Sequence, residues 1–164
     1  MCFKRTVRYF GWALLFWFMA TALFAGRAHA DQKRDEALIK FQVTSFFSAV
    51  AARDIERMQD LWDIEANVSM LTPRQRRLAV GWPAVRRAFV EGVFTFWNAL
   101  NAAPIDTPLV LISGTSANAL FLVDAVGENR AGKIVHYSIH NSQLYEKHGD
   151  QWLLIGCFAS GAPE

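Results

Sequence analysis

Apolar residues recur at steps of three and four in three stretches of this chain. Ile39, Val43, Phe46, Phe47 and Val50 form one stripe, which predicts a helix from about Asp35 to Ala52. The stripe breaks at Ala52-Arg53-Asp54. Asp54 is a good N-cap for a second, short helix, with Glu56 in its positively polarised first turn. Ile55, Met58, Leu61 and Trp62 share one face of it. Gly81-Trp82-Pro83 opens a third helix, with Pro83 where a missing N–H costs nothing. Val85, Ala88, Phe89, Gly92, Val93, Phe96, Trp97 and Leu100 continue its stripe, so the expected helix runs to Leu100. Glycine inside a helix costs about 1 kcal/mol relative to alanine. Gly92 is therefore expected where another element comes close.

The rest of the pattern is strand-like. Glu65 to Leu71 reads as a short strand and Thr72 to Arg77 (TPRQRR) as a loop. The three arginines of that loop would suit an anion, although a charge run of this kind reads first as solvated surface. Asn101 to Pro108 carries two prolines and reads as a connection. Leu109–Ser113, Ser116–Val126, Lys133–Glu146 and Gln151–Ser160 follow as strands with short loops, an antiparallel meander. Parity along the third of these places Val135, Tyr137, Ile139, Asn141, Gln143 and Tyr145 on one side, expected to face the helices. Helices first and strands afterwards predict an α+β fold with the helices on one face of a curved antiparallel sheet.

The N-terminus changes how composition is read. Lys4, Arg5 and Arg8 precede Tyr9 to Ala25, which carries no charge, and Ala28-His29-Ala30 follows with small residues at a cleavage spacing. That order is an export signal covering residues 1–30, which makes the expected location periplasmic or secreted. An uncleaved helix anchoring the chain in the inner membrane is the alternative, since about 17 apolar residues is the lower limit for a span. Residues 31–164 then form one domain. Lys4, Arg5, Arg8 and Arg27 leave with the signal, so 13 basic residues face 15 acidic ones, against a net charge of +2 for the full chain. A near-neutral domain argues against a nucleic-acid partner, which needs a basic face. The remaining cysteine, Cys157, has no partner for an internal disulfide, so the domain is held by its core.

Little in the chain points to catalysis. There is no glycine-rich phosphate loop, no His-Glu-x-x-His and no cysteine pair. His136 and His140 on one strand stand about 13 Å apart, too far to share a metal. No metal and no cofactor is expected. Cys157 lies in the apolar stretch LLIGCFAS and reads as a buried small residue. Asp63 and Glu65 read as a polar turn, with a pocket mouth as the alternative.

Four weak signatures in order resemble one superfamily. FFSAVAARDIERMQDLW (Phe46–Trp62), GWPAVRRAF (Gly81–Phe89), SGTSA (Ser113–Ala117) and YEKHGDQWLLIGCFAS (Tyr145–Ser160) are similar to the SnoaL-like, nuclear-transport-factor-two-like proteins. The resemblance covers Leu38 to Ser160. It implies a cone-shaped curved antiparallel sheet packed on three N-terminal helices, with a pocket at the wide end. Members include ketosteroid isomerases, polyketide cyclases, dehydratases and binding or dimerisation modules, so the fold does not fix the function. The isomerase roles, a tyrosine and a protonated acid for an oxyanion and a carboxylate base, fall on Phe46, Asn141 to Gln143, and Met70. None can serve.

The resemblance and the helical stripes together imply pocket-lining candidates Phe46, Trp62, Met70, Phe89, Phe96 and Asn141. Three functional readings remain. The first is an exported module binding a small apolar ligand, as a homodimer through the outer sheet face. The second is a lyase or isomerase using another group, with His140 or Asp63 as the candidate. The third is an assembly module whose pocket is filled by its own aromatics.

Overall fold

The joint between the first two helices fixes the frame. In this computed structural model the backbone is described for residues 7–163 and side chains for residues 30–161. The chain divides into two units, Met1–Asp35 and Glu36–Glu164. Helix α1 spans Val7–Ala52. Of the expected export segment, residues 1–30, the side chains of residues 1–29 lie outside those described.

Within the second unit Ile39, Val43, Phe46, Phe47 and Val50 are all buried, the stripe its periodicity calls for. The helix ends at Arg53, which takes a left-handed φ of 54°. Helix α2 (Ile55–Gln59) starts at Asp54, whose carboxylate accepts from the Arg57 N–H at 2.9 Å. Such a cap is worth about 1 kcal/mol.

The seven strands are β1 (Ser69–Leu71), β2 (Ala79–Val80), β3 (Trp97–Pro104), β4 (Leu109–Ser113), β5 (Ser116–Asn129), β6 (Ile134–His148) and β7 (Gln151–Pro163). Their order is β2-β1-β7-β6-β5-β3, with β4 also on β5. The sheet is curved and unclosed. It is mixed rather than wholly antiparallel, because β1 pairs with β7 in parallel, Met70 opposite Cys157. A parallel pair needs a long connection, and here nearly the whole domain intervenes. The parallel run begins earlier, where Trp62 bridges Leu154.

Expected and observed structure part company at the third helix. Helix α3 covers only Trp82–Arg87, and a π-helix continues it through Ala88–Phe94. Its last turn closes on the Val90 carbonyl, which accepts from the Thr95 hydroxyl at 2.6 Å and the Thr95 N–H at 3.0 Å. Trp97 to Leu100 is strand, and β3 absorbs the supposed connection as far as Pro104. The pairing explains the misreading. Trp97 faces Asn129 and Ala99 faces Glu128, so Asn98 is the extra residue of a bulge. The bulge puts Trp97 and Leu100, three apart, on the same side, and three is also the helical step. Pro104 is tolerated at the end of this outer strand. Arg53 ties the joint to the bulge by donating to the carbonyls of Trp97 and Asn98.

The long strands follow their parity. Ala117, Ala119, Phe121, Val123 and Ala125 of β5 are buried, as are Asn141, Gln143 and Tyr145 of β6, the face expected to meet the helices. Gln42 of α1 donates to the Trp152 carbonyl at 3.0 Å, fastening helix to sheet.

Candidate functional site

Between helix and sheet lies a cavity of about 120 Å³. The buried side of α1 brings Phe46, Phe47 and Val50 to it. Strand β1 brings Met70, the following loop Thr72 to Arg74, and the π-helix Phe89, Gly92 and Val93. The sheet closes the far side with Trp97, Leu100, Ala102, Val123, Ala125, Tyr137, Ile139, Asn141, Cys157 and Ala159. An apolar cavity of about 150 Å³ holds benzene, so this one suits a ring or a short chain. The walls are rigid aromatic contacts: Phe46 meets Phe47 edge-on at 5.2 Å and Phe89 at 5.8 Å.

Polar side chains are few, and apart from Arg74 they are neutral. The Asn141 amide contacts the Cys157 sulfur at 3.9 and 4.0 Å. Burial pushes the Cys157 thiol up to about 12, against smaller opposing contributions from contacts with Asn141 and Gln143. Next along β6 the Tyr145 hydroxyl donates to Gln143 Oε1 at 2.5 Å. Burial raises the Tyr145 phenol well above its ordinary range, with a further push from Cys157. Among the described residues the lining holds no carboxylate and no histidine. The titratable side chains of the lining are Arg74, Tyr137 and Cys157.

Four of the six expected pocket residues, Phe46, Met70, Phe89 and Asn141, meet at this cavity. Trp62 and Phe96 do not line it. Trp62 packs in the core against Trp82 at 6.2 Å and Phe89 at 6.3 Å. Phe96 lies one residue off the wall. It meets Trp97 edge-on at 4.7 Å and carries the Arg74 guanidinium 3.2 Å above its ring. Strand parity on β6 would have added Tyr137 and Ile139, which share a face with Asn141. Gly92 has no neighbour within 4 Å of an added Cβ, so the expected close approach is absent and the residue borders the cavity instead.

The alternative catalytic candidates lie outside the lining. His140 is exposed on β6. Asp63 pairs with His148, Nε2 to Oδ2 3.0 Å, and Glu146 completes a group of ligand atoms within 4.8 Å. This trio, rather than His136 with His140, is where the described chain gathers metal-type donors, and two of its members are exposed.

No model of a protein family matches the chain, and no curated protein does. Solved structures do. A nuclear transport factor 2 (NTF2-like) superfamily protein from Salmonella enterica aligns with 79% of this chain and 92% of its own, at a TM-score of 0.72 and 17% identity. The chain has the nuclear-transport-factor-two-like fold. A hexachlorocyclohexane dehydrochlorinase, LinA-type3, from Novosphingobium barchaimii gives a TM-score of 0.72 at 13% identity, over 83% of this chain and 94% of that one. A scytalone dehydratase-like protein from Novosphingobium aromaticivorans gives 0.71 at 14%, over 82% and 88%. At these identities the likeness is one of fold.

Proposed function

We propose that this nuclear-transport-factor-two-like domain is an exported binding protein for a small, largely apolar molecule. The observation that carries this reading is the roughly 120 Å³ cavity, walled by aromatic and aliphatic side chains with one buried amide and no carboxylate or histidine among its described lining residues. Convergence of an apolar wall with a few placed polar groups is what ligand sites have in common. Phe46, Met70 and Asn141 stand where the isomerase roles would fall. The fold-level expectation of a cone with its pocket at the wide end belongs to the same proposal.

The domain works as a homodimer in this reading. Leu109 and Leu111 of β4 and Leu120 and Leu122 of β5 are exposed together, with Leu109 directly opposite Leu120. Clustered exposed leucines mark association surfaces.

Titration calorimetry with benzene-sized aromatic compounds tests the binding reading. Saturable binding that weakens in Val123→Phe, which fills the cavity, is the expected outcome. Failure of the whole panel to bind would overturn it. Fractionation of the producing cells tests export, and sedimentation of Leu122→Glu tests the dimer.

A further inference from the structure

Resting on that binding reading, we propose that the molecule bound is an amphipathic carboxylate, with its hydrocarbon part in the cavity and its carboxylate at the mouth against Arg74. Among the residues lining the cavity Arg74 is the single charged one, and it is also the single exposed one. It therefore marks the side from which the cavity meets water.

The loop presents this arginine in a set position. The Thr72 N–H donates to Gln75 Oε1 at 2.7 Å, and the Gln75 N–H donates back to the Thr72 carbonyl at 3.0 Å. Arg74 itself rests on an aromatic platform, its guanidinium carbon 3.2 Å from the Phe96 ring centre and 5.9 Å from that of Trp97. A guanidinium that packs on a ring keeps its N–H donors, the fork that fits a carboxylate. Among the described residues no carboxylate forms an ion pair with it. Arg76 and Arg77 of the same loop do not line the cavity.

The interior settles the orientation. Asn141 is neutral and Cys157 stays protonated at any physiological pH. A carboxylate taken inside would lose its hydration with no cation to replace it, which is strongly unfavourable. The same group at the rim keeps its water and gains Arg74. Size sets the other end: the cavity admits a phenyl ring or a chain of about six carbons, by comparison with benzene in a cavity of about 150 Å³.

Calorimetry on the full chain with 3-phenylpropanoate and its neutral isostere 3-phenylpropanamide tests this. The acid is expected to bind about fivefold more tightly than the amide, the size of effect an exposed ion pair gives. The gap closes in Arg74→Gln, survives in Arg76→Gln, and narrows at high salt, since exposed charges are screened. Equal affinity for the two compounds, or a gap that persists in Arg74→Gln, overturns the assignment while leaving the cavity reading intact. If neither compound binds, the assignment falls, and the binding reading falls with it only if the benzene-sized panel also fails.

Discussion

Gly127 sits under the Trp97 ring. A Cβ placed at Gly127 would lie 2.4 Å from Trp97 Cε3, 2.5 Å from Cζ3 and 2.9 Å from Cδ2. These are atoms of a fused ring, not the loose end of a side chain. The ring is also hemmed in by Phe96 at 4.7 Å and Tyr137 at 5.8 Å, both edge-on. Gly127→Ala must therefore push the indole off its strand, and Trp97 is a wall of the cavity. Overpacking of this kind costs about 1–3 kcal/mol. Alanine in a strand recovers about 0.5–1 kcal/mol of backbone entropy, which leaves a net loss of about 0.5–2 kcal/mol. Urea unfolding followed by far-UV circular dichroism measures it. Gly127→Ala combined with Trp97→Leu closes a double-mutant cycle, whose expected coupling is about 1 kcal/mol or more and opposite in sign to the single-mutant losses. A Gly127→Ala protein as stable as the wild type, or a cycle with no coupling, would refute the argument.

Three further outcomes follow from the geometry. Asp54→Ala removes the acceptor of the Arg57 N–H and should lower stability by about 1 kcal/mol in the same urea assay, with Asp54→Asn largely preserving it. Because the Cys157 thiol is held protonated up to about 12 when folded, the unfolded chain gives up that proton first as pH rises. Stability should fall above about pH 9, the ordinary thiol value, and continue falling towards pH 12; Cys157→Ala should show a shallower decline, and an identical one would count against the assignment. Asn141→Leu replaces a buried amide whose partner is a distant sulfur, so it should raise stability by about 1 kcal/mol while changing which ligands bind; a destabilised variant would show that the amide is better satisfied than its contacts indicate.

What the sequence disclosed depended on whether one period could be distinguished from another. On α1 five buried residues match a step of three and four and nothing else, so the helix and its end at Arg53 were legible. On β6 the alternation from Tyr137 to Tyr145 was unbroken, and the inward face followed from it. Between Phe94 and Leu100 the bulge at Asn98 made a strand imitate a helix, and the cross-strand partners that create the bulge lie about thirty residues away in the sequence. The parallel pairing of β1 was hidden for the same reason, since no local feature of Ser69 to Leu71 names Cys157 and its neighbours as partners. Of the six candidates taken from helical stripes and family position, Phe46, Met70, Phe89 and Asn141 border the cavity and Trp62 and Phe96 do not, while Phe47, Val50 and Val93, on the same helical faces, border it unannounced. Arg74 was not singled out, because an arginine in a charged loop looks the same whether it stacks on Phe96 or points into water.

The π-helical turn gives the domain an adjustable bore. Turns of this kind recur at functional sites, and this one brings to the cavity rim a residue without a side chain, Gly92, where a methyl group would touch nothing within 4 Å. Alanine at that one position meets nothing that must move, and the bulkier valine and leucine would extend the substitution series toward a smaller space for a guest. A lineage, or a designer, seeking to retune guest size would need to change one codon.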